Sequence, residues 1–192
     1  MANTTNPFEN LRYTGKDQEV SIDWYRDRIN DLGKQKFKPS NLMSNNDLLV
    51  KRLMPGQLYL YYYDPKTKDS LPYYDTFPLV YPYKRVEGGF MGYNLHYLPP
   101  VLRFKVMGTL LNIQISGTRE EKKLAYSYGV LNANEVSKYY SPCIRRYLNS
   151  QVMSNFLKIP LEDWLSASLL PTDRFVKASA AKVWKESMDK IK

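Results

Sequence analysis

The stretch Gln57–Leu98 reads QLYLYYYDPKTKDSLPYYDTFPLVYPYKRVEGGFMGYNLHYL and decides the fold class. Its runs QLYLYYYD, FPLVYPY and GGFMGYNLHYL are dense in β-favouring residues and are separated by turn-rich segments, which predicts three or more antiparallel strands. Pro78 and Pro82 cannot donate to a ladder, so the second strand should lie at an edge or break at a bend. Gly88-Gly89 and Gly92 indicate a turn and a bulge, which would curl a small sheet toward a barrel.

The segment between the first two runs predicts a hairpin. Asp64 and Pro65 favour a turn, and the tip Lys66–Lys68 is expected to stay in water. The return strand would begin near Tyr73 and Tyr74, whose side chains then point to opposite faces of the sheet.

Helices are predicted on both sides of this sheet. Ser21 and Gly33 have the residue types that start and stop a helix, and Pro99-Pro100 opens another helix that ends near Asn112. Further helices are expected from about Thr118, between Pro160 and Pro171, and over the last residues, with a closing strand in the second half of 140–160. The first fifteen residues suggest a mobile arm.

A chain of 192 residues fits one domain with decorated ends. We therefore predict an α+β protein with a small antiparallel sheet at 54–98, curled in the manner of an SH3-like barrel. Packed helices follow the sheet, and extended terminal arms make subunit contacts. The predicted segments are an N-terminal arm and short helix at 1–53, a core at 54–158 and a C-terminal helical segment at 159–192.

Tyrosine is unusually frequent, with 17 Tyr against 7 Phe. A large rigid ring with a hydroxyl that can stay wet suits half-buried sheets and contact surfaces. The candidate interface residues are Trp24, Tyr73, Tyr74, Trp164 and Trp184.

The net charge of +9 is concentrated in residues 99–158, which contain nine Lys/Arg and three Asp/Glu. Single-strand binders place cations and stacking aromatics in the same groove, whereas here the two are segregated in sequence. A solvated basic face is therefore favoured over a dedicated nucleic-acid groove, and an acidic protein is an alternative partner for that face. The candidate basic face comprises Arg119, Lys122, Lys123, Arg145 and Arg146.

Neither catalysis nor metal binding has a clear motif. His96 is interpreted as a structural, hydrogen-bonded residue near a strand–helix junction, because no G-x-S-x-G or Cys-His signature accompanies it. The single Cys143 excludes an intrachain disulfide and a multi-cysteine zinc site. We predict no enzymatic activity, no metal and no cofactor.

No window approaches the roughly 20 apolar residues of a membrane span, and no secretory signal is visible. The expectation is a protein with no membrane partner.

The run Met54–Arg103, together with the downstream segments IPLEDWLSASLLPTDRF and KVW, resembles virion proteins of contractile-tailed bacteriophages over roughly residues 54–192. The resemblance implies a structural, non-enzymatic tail or baseplate subunit, synthesised in the host cytoplasm and located in the virion. Its partners would be other phage structural proteins in a symmetric assembly. The alternative is a DNA-binding head-completion or genome-end protein that uses the basic segment 99–158, and a third hypothesis is a hydrolase that uses His96 and an aspartate.

Overall fold

A computed structural model describes residues 8–12, 21–116 and 137–191. The helices are α1 (Ile22–Leu32), α2 (Pro39–Leu42), α3 (Pro100–Ser116), α4 (Ser137–Tyr140), α5 (Trp164–Leu169) and α6 (Ala180–Ile191). The strands are β1 (Leu49–Val50), β2 (Leu58–Leu60), β3 (Tyr74–Asp75), β4 (Leu79–Val86), β5 (Gly89–Asn94), β6 (Ile144–Leu148), β7 (Phe156–Ile159) and β8 (Phe175–Val176). Short 3-10 helices connect several of these elements, so the α+β prediction is confirmed.

Six strands form one antiparallel sheet in the order β1-β7-β2-β4-β5-β6, and β3 pairs with β8 in a separate ribbon. The end strands β1 and β6 do not pair with each other, so the sheet is open and the predicted SH3-like barrel is wrong. The sheet is also wider than 54–98. Because β2, β4 and β5 are buried on both faces, strands from distant segments are needed to extend and cover it.

The predicted hairpin around Lys66–Lys68 is right in that the chain reverses there between two antiparallel strands, with Tyr63 N donating to the Thr76 carbonyl, and it is wrong in where the return strand begins. β2 pairs with β4, while β3 leaves the sheet to pair with β8. The intervening loop is held instead by side chains: Lys68 Nζ donates to Asp64 at 2.8 Å, and Lys177 Nζ donates to the carbonyls of Lys68, Asp69 and Leu71. The turn residues therefore belong to a loop that is fixed by hydrogen bonds from Lys177 in the C-terminal segment.

Pro82 lies in the second predicted strand, which was expected either to be an edge strand or to break at a bend. β4 lies between β2 and β5, so it is not an edge strand. Its pairing with β5 shifts register between Pro82 and Lys84, opposite Gly92 and Met91. The strand nevertheless runs without a break from Leu79 to Val86, so it neither lies at an edge nor breaks at a bend. The proline is accommodated at this shift in register, and Gly56 N donates to the Pro82 carbonyl before the start of β2.

The sheet separates two apolar clusters. The larger one contains residues of α1, α3, α5 and α6 and the main face of the sheet. The smaller one is largely aromatic, and its Tyr61 ring has centroids of four neighbouring rings within 5.1–6.3 Å. The smaller cluster comprises Leu53, Tyr59, Tyr61, Tyr63, Val80, Phe90, Tyr147 and Phe156.

Helix α1 begins and ends where the sequence predicted. Ser21 Oγ accepts a hydrogen bond from Trp24 N at 3.2 Å, and Gly33 terminates the helix at φ 77°, a left-handed value that glycine adopts without a steric cost. The helix predicted from about Thr118 lies outside the described residues. The predicted closing strand is β7, whereas β6 was not predicted.

The N-terminal segment is more packed than a mobile arm in its described part. Phe8 and Leu11 are buried, and Arg12 makes two 2.8 Å hydrogen bonds to Asp163. Both partners of this ion pair are thereby held, and the bond raises the pKa of Arg12. Burial opposes that rise only in part.

The larger cluster draws residues from all three predicted segments, from Phe8 to Ile191. The division into those segments stays a prediction. Within the described ranges, no helix combines the length and apolar character needed to cross a membrane.

Candidate nucleic-acid interface

An aromatic groove with a cationic rim opens where the edge strand β6 approaches β3 and the last turn of α6. Its volume is about 480 Å³. Rings and cations from five separate segments line it. We call it the tyrosine–arginine groove and define it by Lys66, Tyr73, Tyr74, Tyr97, Arg145, Arg146 and Lys190.

Strand β6 supplies the two arginines. It is the last strand in the sheet, so one edge of its backbone is unpaired and side chains on both faces reach the groove. The Arg145 guanidinium carbon lies 3.7 Å from the centroid of the Tyr97 ring, and Nη1 donates to the Ile144 carbonyl at 2.6 Å. The side chain is therefore positioned before any ligand arrives.

Arg146 is exposed and donates from Nη2 to the Glu87 carbonyl at 3.2 Å. Lys66 and Lys190 are exposed as well. Among the described residues, no carboxylate forms an ion pair with any of the four groove cations. Their charge is therefore available to an anionic ligand.

The three tyrosines differ in exposure. Tyr97 is 4% and Tyr73 8% exposed, whereas Tyr74 is half-buried and offers more ring surface. Burial, then a hydrogen bond to Glu186 on α6, raises the pKa of Tyr73 to about 12. Tyr73 therefore remains neutral near pH 7 and adds no negative charge to the groove.

A buried polar network forms the floor beside β3. Asp75 Oδ2 lies 2.7 Å from His96 Nδ1 and accepts from Asn94 Nδ2 at 3.2 Å. Its Oδ1 accepts from Phe77 N and Arg174 N at 3.0 and 3.1 Å. The network ties the ribbon β3–β8 to the end of β5.

Burial alone would raise the pKa of Asp75, but the neighbouring His96 and the hydrogen bonds from Phe77 and Asn94 outweigh it and hold that pKa below its usual value. Asp75 is the one carboxylate among the described residues that line the groove. Because its oxygens are engaged by four donors of this chain, it is a structural anchor of the groove.

The ring of His96 links Asp75 to Thr172, whose Oγ1 lies 3.0 Å from Nε2. An acid, an imidazole and a hydroxyl in this order have the arrangement of a hydrolytic triad. Both His96 and Thr172 are 0% exposed, however, so a substrate has no access to the hydroxyl. The predicted hydrogen-bonded His96 lies at the strand–helix junction as expected.

A second groove of about 560 Å³ lies next to the first. Lys51, Arg52 and Arg85 line it, above the rings of Phe90 and Phe156. Leu148 lines the tyrosine–arginine groove and Asn149 lines this one. Since consecutive Cα atoms are about 3.8 Å apart, the linings of the two grooves come close to each other at this point of the chain. We call the second one the lysine–arginine groove.

Four of the predicted site residues meet in the tyrosine–arginine groove: Tyr73, Tyr74, Arg145 and Arg146. The cations and tyrosines that are segregated in sequence are thus adjacent in space. Arg119, Lys122 and Lys123 lie outside the described residues.

The three tryptophans lie elsewhere. Trp164 is 0% exposed in the core and donates from Nε1 to the Ile159 carbonyl, so it presents no surface to a partner in this conformation. Trp184 donates from Nε1 to the His96 carbonyl at 2.9 Å, and Trp24 packs edge-on against Tyr25. Their role as interface residues stays a prediction.

The sequence analysis missed Lys66, Tyr97 and Lys190 as site residues. They come from a loop, a 3-10 helix and the end of α6. No local pattern joins them, because only the tertiary structure brings these segments together. Across the part of the chain described, no group of three or more His, Cys, Asp or Glu side chains is placed to hold a metal ion.

Residues 16–187 match the protein family described as phage T4 terminal DNA protecting protein. No curated protein and no solved structure matches significantly. The match covers most of the 192 residues, and the predicted relationship to bacteriophage proteins is confirmed. The chain belongs to the family of phage T4 terminal DNA protecting proteins.

Proposed function

We propose that this protein binds the ends of linear phage DNA and shields them from nucleases. The observation that carries the proposal is the tyrosine–arginine groove, in which four cations that form no ion pair with a described carboxylate surround an aromatic surface. The family description, which names terminal DNA, supports the same function.

The charges of the groove suit a phosphate backbone. Protein cations bind DNA by neutralising phosphates and releasing counterions, and arginine can contact a phosphate with two parallel hydrogen bonds. Arg145 and Arg146 both line the groove, so both are available to a phosphate held there. The lysine–arginine groove adds three cations along the same surface.

The family description favours the genome-end alternative over the tail or baseplate hypothesis, because it concerns DNA ends. Within the described part of the basic segment, β6 supplies the two arginines of the groove, whereas Arg103 is 1% exposed and donates to the carbonyls of Leu98 and His96. Location in the virion and contacts with other phage structural proteins remain part of the proposal, with no membrane partner.

We also propose that protection is passive and requires no catalysis. The support for this is the burial of His96 and Thr172, which leaves the one triad-like arrangement in the described chain without an opening to substrate. A nuclease would be blocked because the protein occupies the end that the nuclease must enter.

The test is digestion of a linear duplex by a processive exonuclease with and without the full-length protein. Protection is expected to be abolished by unlabelled linear competitor and much less by the same mass of circular DNA. The double variant Lys66→Gln, Arg146→Gln should lose at least tenfold in protective potency, whereas Lys182→Gln, an exposed α6 lysine outside both grooves, should retain it. Equal competition by circular and linear DNA would contradict end binding.

A further inference from the structure

We infer that the tyrosine–arginine groove is a binding site for one unpaired terminal nucleotide, with its base on Tyr74 and its phosphate on Arg145 and Arg146. This inference rests on the proposed function and names the part of the DNA that the groove recognises. It also assigns the lysine–arginine groove to the backbone that follows this nucleotide.

An aromatic side chain can stack only on a base face that is not covered by a neighbouring base. Inside a duplex both faces of each base are covered by neighbouring pairs, whereas an unpaired base exposes its face. Proteins that bind single strands use aromatic rings and arginine planes as stacking platforms. The aromatic rings of the groove therefore cannot stack on bases inside a duplex, but they can stack on an unpaired base at a DNA end.

The volume of the tyrosine–arginine groove also suits a single nucleotide. Pockets that enclose small ligands have volumes of roughly 300–1,000 Å³, and this groove has a volume of about 480 Å³. That volume suits a nucleotide and is too small to enclose a duplex. The groove therefore selects a flipped or unpaired residue.

The rings of Tyr97 and Tyr74 are held in place by their neighbours. Tyr97 supports the Arg145 guanidinium from below at 3.7 Å, so the opposite face of that guanidinium is directed away from the protein core. Tyr74 is fixed by the pairing of β3 with β8 through Val176 and keeps a partly open ring. Rigid platforms reduce the entropy that binding must overcome.

The lysine–arginine groove offers a path for the DNA backbone that follows the bound nucleotide. The linings of the two grooves include the consecutive residues Leu148 and Asn149. Lys51, Arg52 and Arg85 in the second groove form no ion pair with a described carboxylate. Arg85 is held by donating from Nη2 to the Leu53 carbonyl at 3.1 Å. A backbone leaving the first groove therefore meets a second set of available cations.

The experiment measures binding of the full-length protein to three DNA hairpins of equal duplex length by fluorescence anisotropy. One hairpin has a blunt end, one has a three-nucleotide overhang tested in both polarities, and one is a closed dumbbell without an end. A 2-aminopurine as the terminal overhang base reports stacking by quenching. We expect the overhang of one polarity to bind at least tenfold more tightly than the dumbbell, with quenching of its terminal base.

Substitutions at Tyr74 separate stacking from packing. Tyr74→Phe should keep the overhang preference, while Tyr74→Leu, which stays apolar, should weaken overhang binding by about fivefold to 150-fold, the range for one stacked base. Tyr139→Leu is the control, because Tyr139 is half-buried on α4 outside both grooves. Thermal unfolding of each variant confirms that it is folded.

Equal affinity for overhang, blunt and dumbbell DNA, or an unquenched terminal base, would overturn the inference. If the blunt and overhang hairpins bind equally but both exceed the dumbbell, end binding stands and the unpaired-nucleotide site is wrong. If exonuclease protection is absent for every linear DNA, the proposed function itself has failed.

Discussion

At the scale of single residues, Asp75 is the side chain on which the groove depends most. Its carboxylate accepts four hydrogen bonds while fully buried. The orientation of Asn94 is set as well, because its Oδ1 accepts from His96 N at 3.1 Å and its Nδ2 must therefore point at Asp75. An amide nitrogen in place of Asp75 Oδ2 would face this donor directly.

We therefore expect Asp75→Asn to lower the free energy of unfolding by about 2–4 kcal/mol, the range for breaking a buried charged network. Urea denaturation of the purified variant measures this loss. The matched control is Asp69→Asn in the neighbouring exposed loop, which should change stability by less than about 0.5 kcal/mol. A loss as small as that of the control would contradict the anchoring role.

The same carboxylate gives stability a dependence on acid. The pKa of Asp75 in the folded chain is lower than in an unfolded chain, where it is about 3.9. Its contribution is therefore complete above pH about 4 and is lost as the pH falls through the folded pKa. Asp75→Asn should flatten the fall in unfolding free energy below pH about 4, relative to Asp69→Asn.

At the scale of elements, β6 carries the arginines and depends on its contact with β5. Gly89 of β5 pairs with Leu148 of β6, and a Cβ atom at residue 89 would overlap the Tyr147 carbonyl oxygen. The close approach of the two backbones therefore requires glycine. Backbone atoms cannot move aside as a flexible side chain can.

Gly89→Ala should lower the unfolding free energy by about 1–3 kcal/mol, the cost of forcing extra volume into a packed site. Gly108→Ala on α3 is the opposite case, because its Cβ would meet open space. That change should stabilise the protein by about 0.5–1 kcal/mol, since alanine favours helix over glycine. Thermal and urea unfolding measure both, and equal effects of the two substitutions would show that β6 tolerates displacement.

At the scale of the whole molecule, the net charge of +9 is less informative than its arrangement. Arg103 is buried and Arg12 is paired with Asp163. The tyrosine–arginine and lysine–arginine grooves instead collect seven cations that form no ion pair with a described carboxylate. The proposed DNA-binding surface is therefore defined by the fold.

The salt dependence of binding reports how many cations contact phosphates. For four to seven contacts with a single strand, a plot of log K against log salt concentration should have a slope of about −3 to −5. Arg146→Gln and Arg52→Gln should each make that slope shallower by about 0.7. Lys36→Gln, an exposed lysine outside both grooves, should leave the slope unchanged, and a similar change in all three variants would indicate diffuse attraction only.

Helix boundaries could be predicted from the sequence because their physical causes are local. The Ser21 cap, the Gly33 stop and the helices near both termini follow from the conformational preferences of neighbouring residues. The return strand predicted at Tyr73 and Tyr74 is wrong, because β3 pairs with β8, about 100 positions further along the chain. Turn residues predict a turn, but they do not predict which strands pair across it.

The sequence by itself determined an α+β chain, its main sheet-forming stretch, its excess of tyrosine and the location of its basic residues along the chain. The tertiary structure decided that the sheet is open, that His96 is sealed from solvent beside Asp75, and that tyrosines from 73–97 meet arginines from 145–146 in one groove. The physical reason is that a binding surface depends on distances between remote segments. Those distances are set by packing of the whole core, which no local residue preference encodes.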